Sequence, residues 1–107
     1  MRYAFHSLLR AGHEEAYERD HRVIPDDLAA TFARIGVRSW SIWRSGVDLF
    51  HFVEIDDYDA AMAALADDEA NAAWQAFIGK HVDHFALIDG DQRLPLVWDL
   101  KAQLGEV

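Results

Sequence analysis

The chain has 107 residues, of which 51% are hydrophobic and 27% charged, a globular composition that suits one domain over 1–107 and not a disordered segment. Its 19 acidic residues against 10 basic ones give a net charge of -9, which repels phosphate backbones and sets nucleic acid aside as a partner. With no cysteine, disulfides, thiolate nucleophiles, cysteine-bound zinc and iron–sulfur clusters are excluded together, which agrees with a cytoplasmic protein.

No apolar run approaches the ~18 residues of a membrane span. Residues 2–9 alternate and carry aromatics, which predicts a first strand, not a targeting segment. Gly12 should break it. Tyr17, His21, Ile24, Leu28, Phe32 and Ile35 then recur at helical spacing. Pro25 interrupts the pattern, because it lacks an N–H and clashes with the preceding turn. The expectation is a short helix near 13–21 and a second from about 25 to 35, with Asp26 and Asp27 at its positive end and Gly36 as its stop.

Residues 37–43 read as a strand, Arg44-Ser45-Gly46 as a turn and Asp48–Ile55 as the returning strand of a hairpin. Asp56 or Asp57 should cap a helix through Met62 and Leu65. Asp67 or Asp68 should cap another, running through Trp74, Phe77, Ile78, His81 and Phe85. Gly90 marks a loop, and Leu94–Leu100 is expected to be the last strand. The order βαββαβ is that of a ferredoxin-like α+β fold with each main helix broken in two. Helices on one face leave the other face bare, and alternate residues such as Tyr3/Phe5, Trp40/Ile42 and Phe50/Phe52, or the opposite set, would line it. Covering so aromatic a face calls for a homodimer packed through its sheets.

The scattered glycines form no phosphate-binding loop, and neither an HExxH nor a G-x-S-x-G motif occurs. The histidines at 6, 51, 81 and 84 show no metal-ligand spacing and are expected to be solvated or structurally bonded, with no metal site. Tyr17 and His21 are the more informative pair, four apart on one helical face and so side by side. Trp40, Trp43, Trp74 and Trp98 supply apolar ring faces of the kind a neutral sugar stacks on. Glu54 is the one carboxylate that ends a strand of aromatics, which suits polar positioning.

These residues resemble the L-rhamnose mutarotases, small dimeric proteins of the α+β barrel type. The resemblance begins at Ala4-Phe5 and is densest over His13–His21. It continues through Ile24, Leu28, Gly36, Trp40 and Phe52-Val53-Glu54-Ile55, then through Asp68, Trp74 and Val97-Trp98. It implies a cofactor-free isomerase that interconverts the α and β anomers of a 6-deoxy-L-hexose, a monosaccharide such as L-rhamnose. By the resemblance His21 is the general acid/base, Tyr17 lies beside it, and Trp40 and Trp74 line the sugar site. Trp98 closes the pattern, and Glu54 and Asp99 are candidates for binding hydroxyls. The departures at Ala73, Asp99 and His6 leave an L-fucose mutarotase as an alternative. The architecture alone also admits a monooxygenase-like or stress-response binding domain.

Overall fold

The computed structural model describes residues 1–105. Four strands, β1 (Arg2–Leu9), β2 (Val37–Ser45), β3 (Asp48–Ile55) and β4 (Val82–Phe85), form one antiparallel sheet in the order β2-β3-β1-β4. Between β1 and β2 run α1 (Glu14–Asp20) and α2 (Asp26–Arg34), and between β3 and β4 run α3 (Tyr58–Ala66) and α4 (Glu69–Ile78). This is the ferredoxin-like βαββαβ arrangement, with both helical crossovers divided. A short α5 (Leu100–Gln103) follows. Among the described residues no helix is long and apolar enough to cross a membrane.

The breaks have local causes. Pro25 stands at the N-cap of α2 in extended conformation, so its missing N–H costs no helical bond. Gly36 ends the α2 turn at φ +87°, where a Cβ would also lie 3.1 Å from Asp56 Oδ2. Asp57 accepts from the Ala60 N–H and Asp68 from the Asn71 N–H, capping α3 and α4. The β2–β3 hairpin turns at Gly46-Val47, one position later than expected, with only Gly46 at positive φ. That is the pattern of a II′ turn, which matches the twist of the strands.

The second half departs from expectation in two places. The helix through Trp74 stops at Ile78, and His81 falls in a 3-10 turn (Gly79–His81) and Phe85 in β4. The final strand is therefore Val82–Phe85, not Leu94–Leu100. Beyond it the Ala86 N–H still donates to His6 O over 2.8 Å, and the chain returns to the edge of β1 at Arg93 and Leu94, where the Leu94 N–H donates to Ala4 O over 2.8 Å. Pro95 has no N–H with which to continue the ladder.

The sheet buries one face under the helices. Phe5, Ser7 and Leu9 of β1 and Leu49, His51, Val53 and Ile55 of β3 point inward by strict alternation. Leu28 from α2, fully buried, packs with Leu9, Leu49, Tyr17, Trp74 and Ile78. Burying such a leucine stabilises by about 1.5–3 kcal/mol. The outer face carries Trp43, Phe50 and Phe52, all exposed, with Trp43 and Phe52 meeting edge to face at 5.3 Å. Trp40 and Ile42 accordingly belong to the covered face with Phe5, and Phe50 and Phe52 to the bare one.

Candidate active site

Tyr17 and His21 come from the one short helix that Gly12 and Pro25 bracket. Tyr17 lies in α1. His21 is its C-cap, held there by its N–H donating to Tyr17 O over 2.8 Å. The two rings are tilted at 46° with centroids 5.3 Å apart. Both line a cavity of about 1020 Å³ between the helices and the covered sheet face, open enough and large enough for a small-molecule ligand. Trp40 reaches the same cavity from β2 and Trp74 from α4.

The electrostatics of the pair follow from burial. Desolvation pushes the Tyr17 phenol up to about 12, so it stays protonated through the physiological range. The same cause holds His21 below the usual imidazole value, so it rests neutral near pH 7. Among the described residues neither the Tyr17 hydroxyl nor a His21 ring nitrogen bonds another residue, the imidazole meeting only its own backbone, while every fully enclosed side-chain polar atom is paired. The Tyr17 hydroxyl therefore reaches open space, although the residue is buried. A neutral imidazole and a protonated phenol, neither tied to another residue and both on one cavity wall, can accept and donate a proton together.

Trp74 meets His21 edge-on, with centroids 5.1 Å apart, and Trp40 packs against Phe32 and Phe5. At the mouth, Arg44 Nε donates to Glu18 Oε1 over 2.6 Å. Behind His21, Asp20 accepts from His81 Nε2 over 2.7 Å, which lowers the Asp20 carboxyl below its ordinary value. His81 Nδ1 in turn bonds His13 Nδ1 at 3.0 Å. His81 is thus a buried, structurally bonded histidine that ties the end of α1 to the 3-10 turn.

Of the seven residues singled out from the sequence, the fold brings Tyr17, His21, Trp40 and Trp74 together and leaves three outside this cavity. Glu54 has the parity of Phe50 and Phe52, so it stands exposed on the opposite sheet face, paired in register with Arg2 and Ser39. Asp99 caps α5 and accepts from Arg2 Nη2 over 2.9 Å. Trp98 is exposed and donates its indole N–H to Gln103 Oε1 over 2.8 Å. Both lie on the segment that Pro95 detaches from the sheet.

The sequence reading missed Ser7 and His51, which line the sheet side of the cavity. Their signal was present in the alternation of β1 and β3, where each shares parity with the buried apolar residues. Arg44 and Glu18 were missed as well, and no local pattern marks them.

The comparisons with known proteins agree with one another. A family model described as L-rhamnose mutarotase matches residues 2–100. A curated L-rhamnose mutarotase of Opitutus terrae is 37% identical over 81 residues, which cover 74% of this chain and 77% of that protein. Among solved structures, an L-rhamnose mutarotase from Formosa agariphila superposes with a TM-score of 0.74 at 23% identity, covering 94% of this chain and 98% of that one. A type-II polyketide cyclase from Streptomyces glaucescens has the same architecture, with a TM-score of 0.60 at 16% identity over 92% of this chain and 95% of that one. The shared fold serves unrelated chemistries, so the sequence matches carry the family assignment.

Proposed function

The chain belongs to the L-rhamnose mutarotase family, isomerases that interconvert anomers, and on that premise we propose that it exchanges the α and β anomers of L-rhamnose at the Tyr17–His21 cavity. The observation that carries this reading is the Tyr17–His21 pair itself, a neutral imidazole beside a protonated phenol on one wall of a ring-lined pocket.

Mutarotation opens a hemiacetal and closes it on the other face. Neutral His21 takes the proton from the anomeric O1–H. The C1–O1 bond becomes a carbonyl, the bond from C1 to the ring oxygen breaks, and the ring oxygen gains a proton from the Tyr17 side. Rotation about the C1–C2 bond presents the other carbonyl face, and closure returns both protons. Trp40 and Trp74 offer ring faces to the C–H side of the pyranose and keep water from the opened form. Positioned proton transfer of this kind gives a factor of about 10²–10⁴.

The bare sheet face supports a second copy of this chain as partner. Trp43, Phe50 and Phe52 form a continuous aromatic patch, and a two-fold axis through it would bury each patch against its equivalent.

Saturation-transfer NMR of L-rhamnose, with L-fucose in parallel, tests the function. The protein should accelerate exchange of L-rhamnose, and His21→Ala should lose about two to four orders of magnitude. Wild-type exchange rates in the His21→Ala protein would remove His21 from the reaction, and equal turnover of L-fucose would widen the substrate class.

A further inference from the structure

His51 and Ser7 form a buried polar pair in the middle of an otherwise apolar sheet face. Both side chains are almost wholly enclosed, between Phe5, Leu9, Leu49 and Val53. Desolvating two polar groups there costs stability unless they are fully used. They are used in a directional way. Trp40 Nε1–H donates to His51 Nδ1 over 3.1 Å. An indole nitrogen can only donate, so Nδ1 carries no proton and the neutral ring bears its proton on Nε2. That Nε2–H therefore donates to Ser7 Oγ, 2.9 Å away.

Two consequences follow. The Trp40 indole N–H is consumed, so Trp40 offers the cavity only its ring face. The Ser7 hydroxyl is filled as an acceptor from the His51 side, and its own O–H has no acceptor among the described residues, while Ser7 lines the cavity. A hydroxyl that accepts a hydrogen bond is also polarised into a better donor. We propose that the Ser7 O–H donates to one ring hydroxyl of the bound sugar, and that His51 is the positioning residue that aims this hydroxyl and locks the Trp40 ring plane. Ser7 is then a specificity-determining contact on the floor of the pocket, across from the proton-transfer pair. The inference rests on the cavity being the sugar site.

The test compares Ser7→Ala, His51→Leu and His51→Gln by anomer-exchange kinetics on L-rhamnose and its 2-, 3- and 4-deoxy analogues. Ser7→Ala should raise KM about tenfold, the order of one lost hydrogen bond, and change kcat less than threefold. Its KM should converge with that of the wild type for the one analogue that lacks the contacted hydroxyl. His51→Leu should match Ser7→Ala in KM and move the Trp40 indole proton upfield in the NMR spectrum. His51→Gln, whose amide can accept from the indole and donate to Ser7, should restore most of both. Unchanged KM in Ser7→Ala and His51→Leu, or a rise equal for all analogues, would overturn the proposal while leaving the mutarotase reading intact. A wild-type protein that accelerates exchange in no 6-deoxy-L-hexose would overturn both.

Discussion

The His21 imidazole meets the Trp74 indole at 89°, edge to face, with their centroids 5.1 Å apart. Trp74 itself is buried in the core that holds Tyr17, Leu28 and Leu49. One aromatic ring thus belongs to the packing of the protein and to the cavity wall against His21, the proposed acid/base group. Aromatic pairs of this geometry contribute about 0.5–1.5 kcal/mol beyond area burial. Trp74→Phe should therefore keep the fold and lower kcat for anomer exchange by about threefold to tenfold. Trp74→Ala should in addition destabilise the protein by about 3–5 kcal/mol in urea unfolding.

The protonation states predict the pH profile of exchange. In the proposed mechanism His21 takes the anomeric proton and must be neutral to do so, and burial holds it below the ordinary value of 6.5. The acid limb of kcat/KM should thus fall below pH 6.5. Tyr17, pushed up to about 12, should produce no alkaline limb below about pH 10.5. Tyr17→Phe removes only the phenolic O–H and should lower kcat by about tenfold to a hundredfold, with the acid limb unmoved.

His51 predicts the pH dependence of stability. Its folded value, pushed down to about 4 by burial, lies below its ordinary value of 6.5. Between those values the unfolded chain binds the proton and the folded one does not, so stability rises with pH across that window. The contribution is fully present above about pH 6.5 and lost progressively as the pH falls toward 4, amounting to about 3 kcal/mol. His51→Gln should flatten this part of the curve. The difference between the two proteins' urea midpoints at pH 5 and pH 7.5 measures it.

Leu28 is fully buried where α2 meets the sheet, beside Tyr17 and Trp74. Leu28→Ala should cost about 2–5 kcal/mol in urea unfolding.

Phe52 and Glu54 neighbour each other in parity on the bare sheet face. Phe52→Lys should convert the proposed dimer into a monomer in sedimentation or light scattering, because it places a charge where the two-fold contact is proposed. Glu54→Gln, remote from the cavity, should leave exchange within about twofold of wild type at saturating sugar. A Phe52→Lys protein of unaltered mass would remove the second copy from this face.

Much of the architecture lay open in the order of residues. Strict alternation over 2–9 and 48–55, the punctuation by Gly12, Pro25 and Gly36, and the capping residues Asp57 and Asp68 act within a few positions of themselves. They mark the elements because backbone hydrogen bonding and side-chain parity are local. The spacing of Tyr17 and His21 belongs to the same class, since four residues along a helix bring side chains together in any context. The β4 strand was less legible. Val82–Phe85 continues an apolar helical spacing, and only pairing with β1 decides that it extends.

What the chain alone determined is therefore a set of elements and one adjacent pair, Tyr17 and His21. Only the tertiary structure decided that Trp40 and Trp74 close on that pair, that Ser7 and His51 face it across the cavity, and that Glu54 and Asp99 stand outside it. The reason is physical. Contacts across the sheet join residues dozens of positions apart, and their partners are chosen by strand order, register and the packing of helices on one face. Glu54 and His51 differ by three positions in the same strand, and an odd step in a pleated strand turns a side chain to the opposite face.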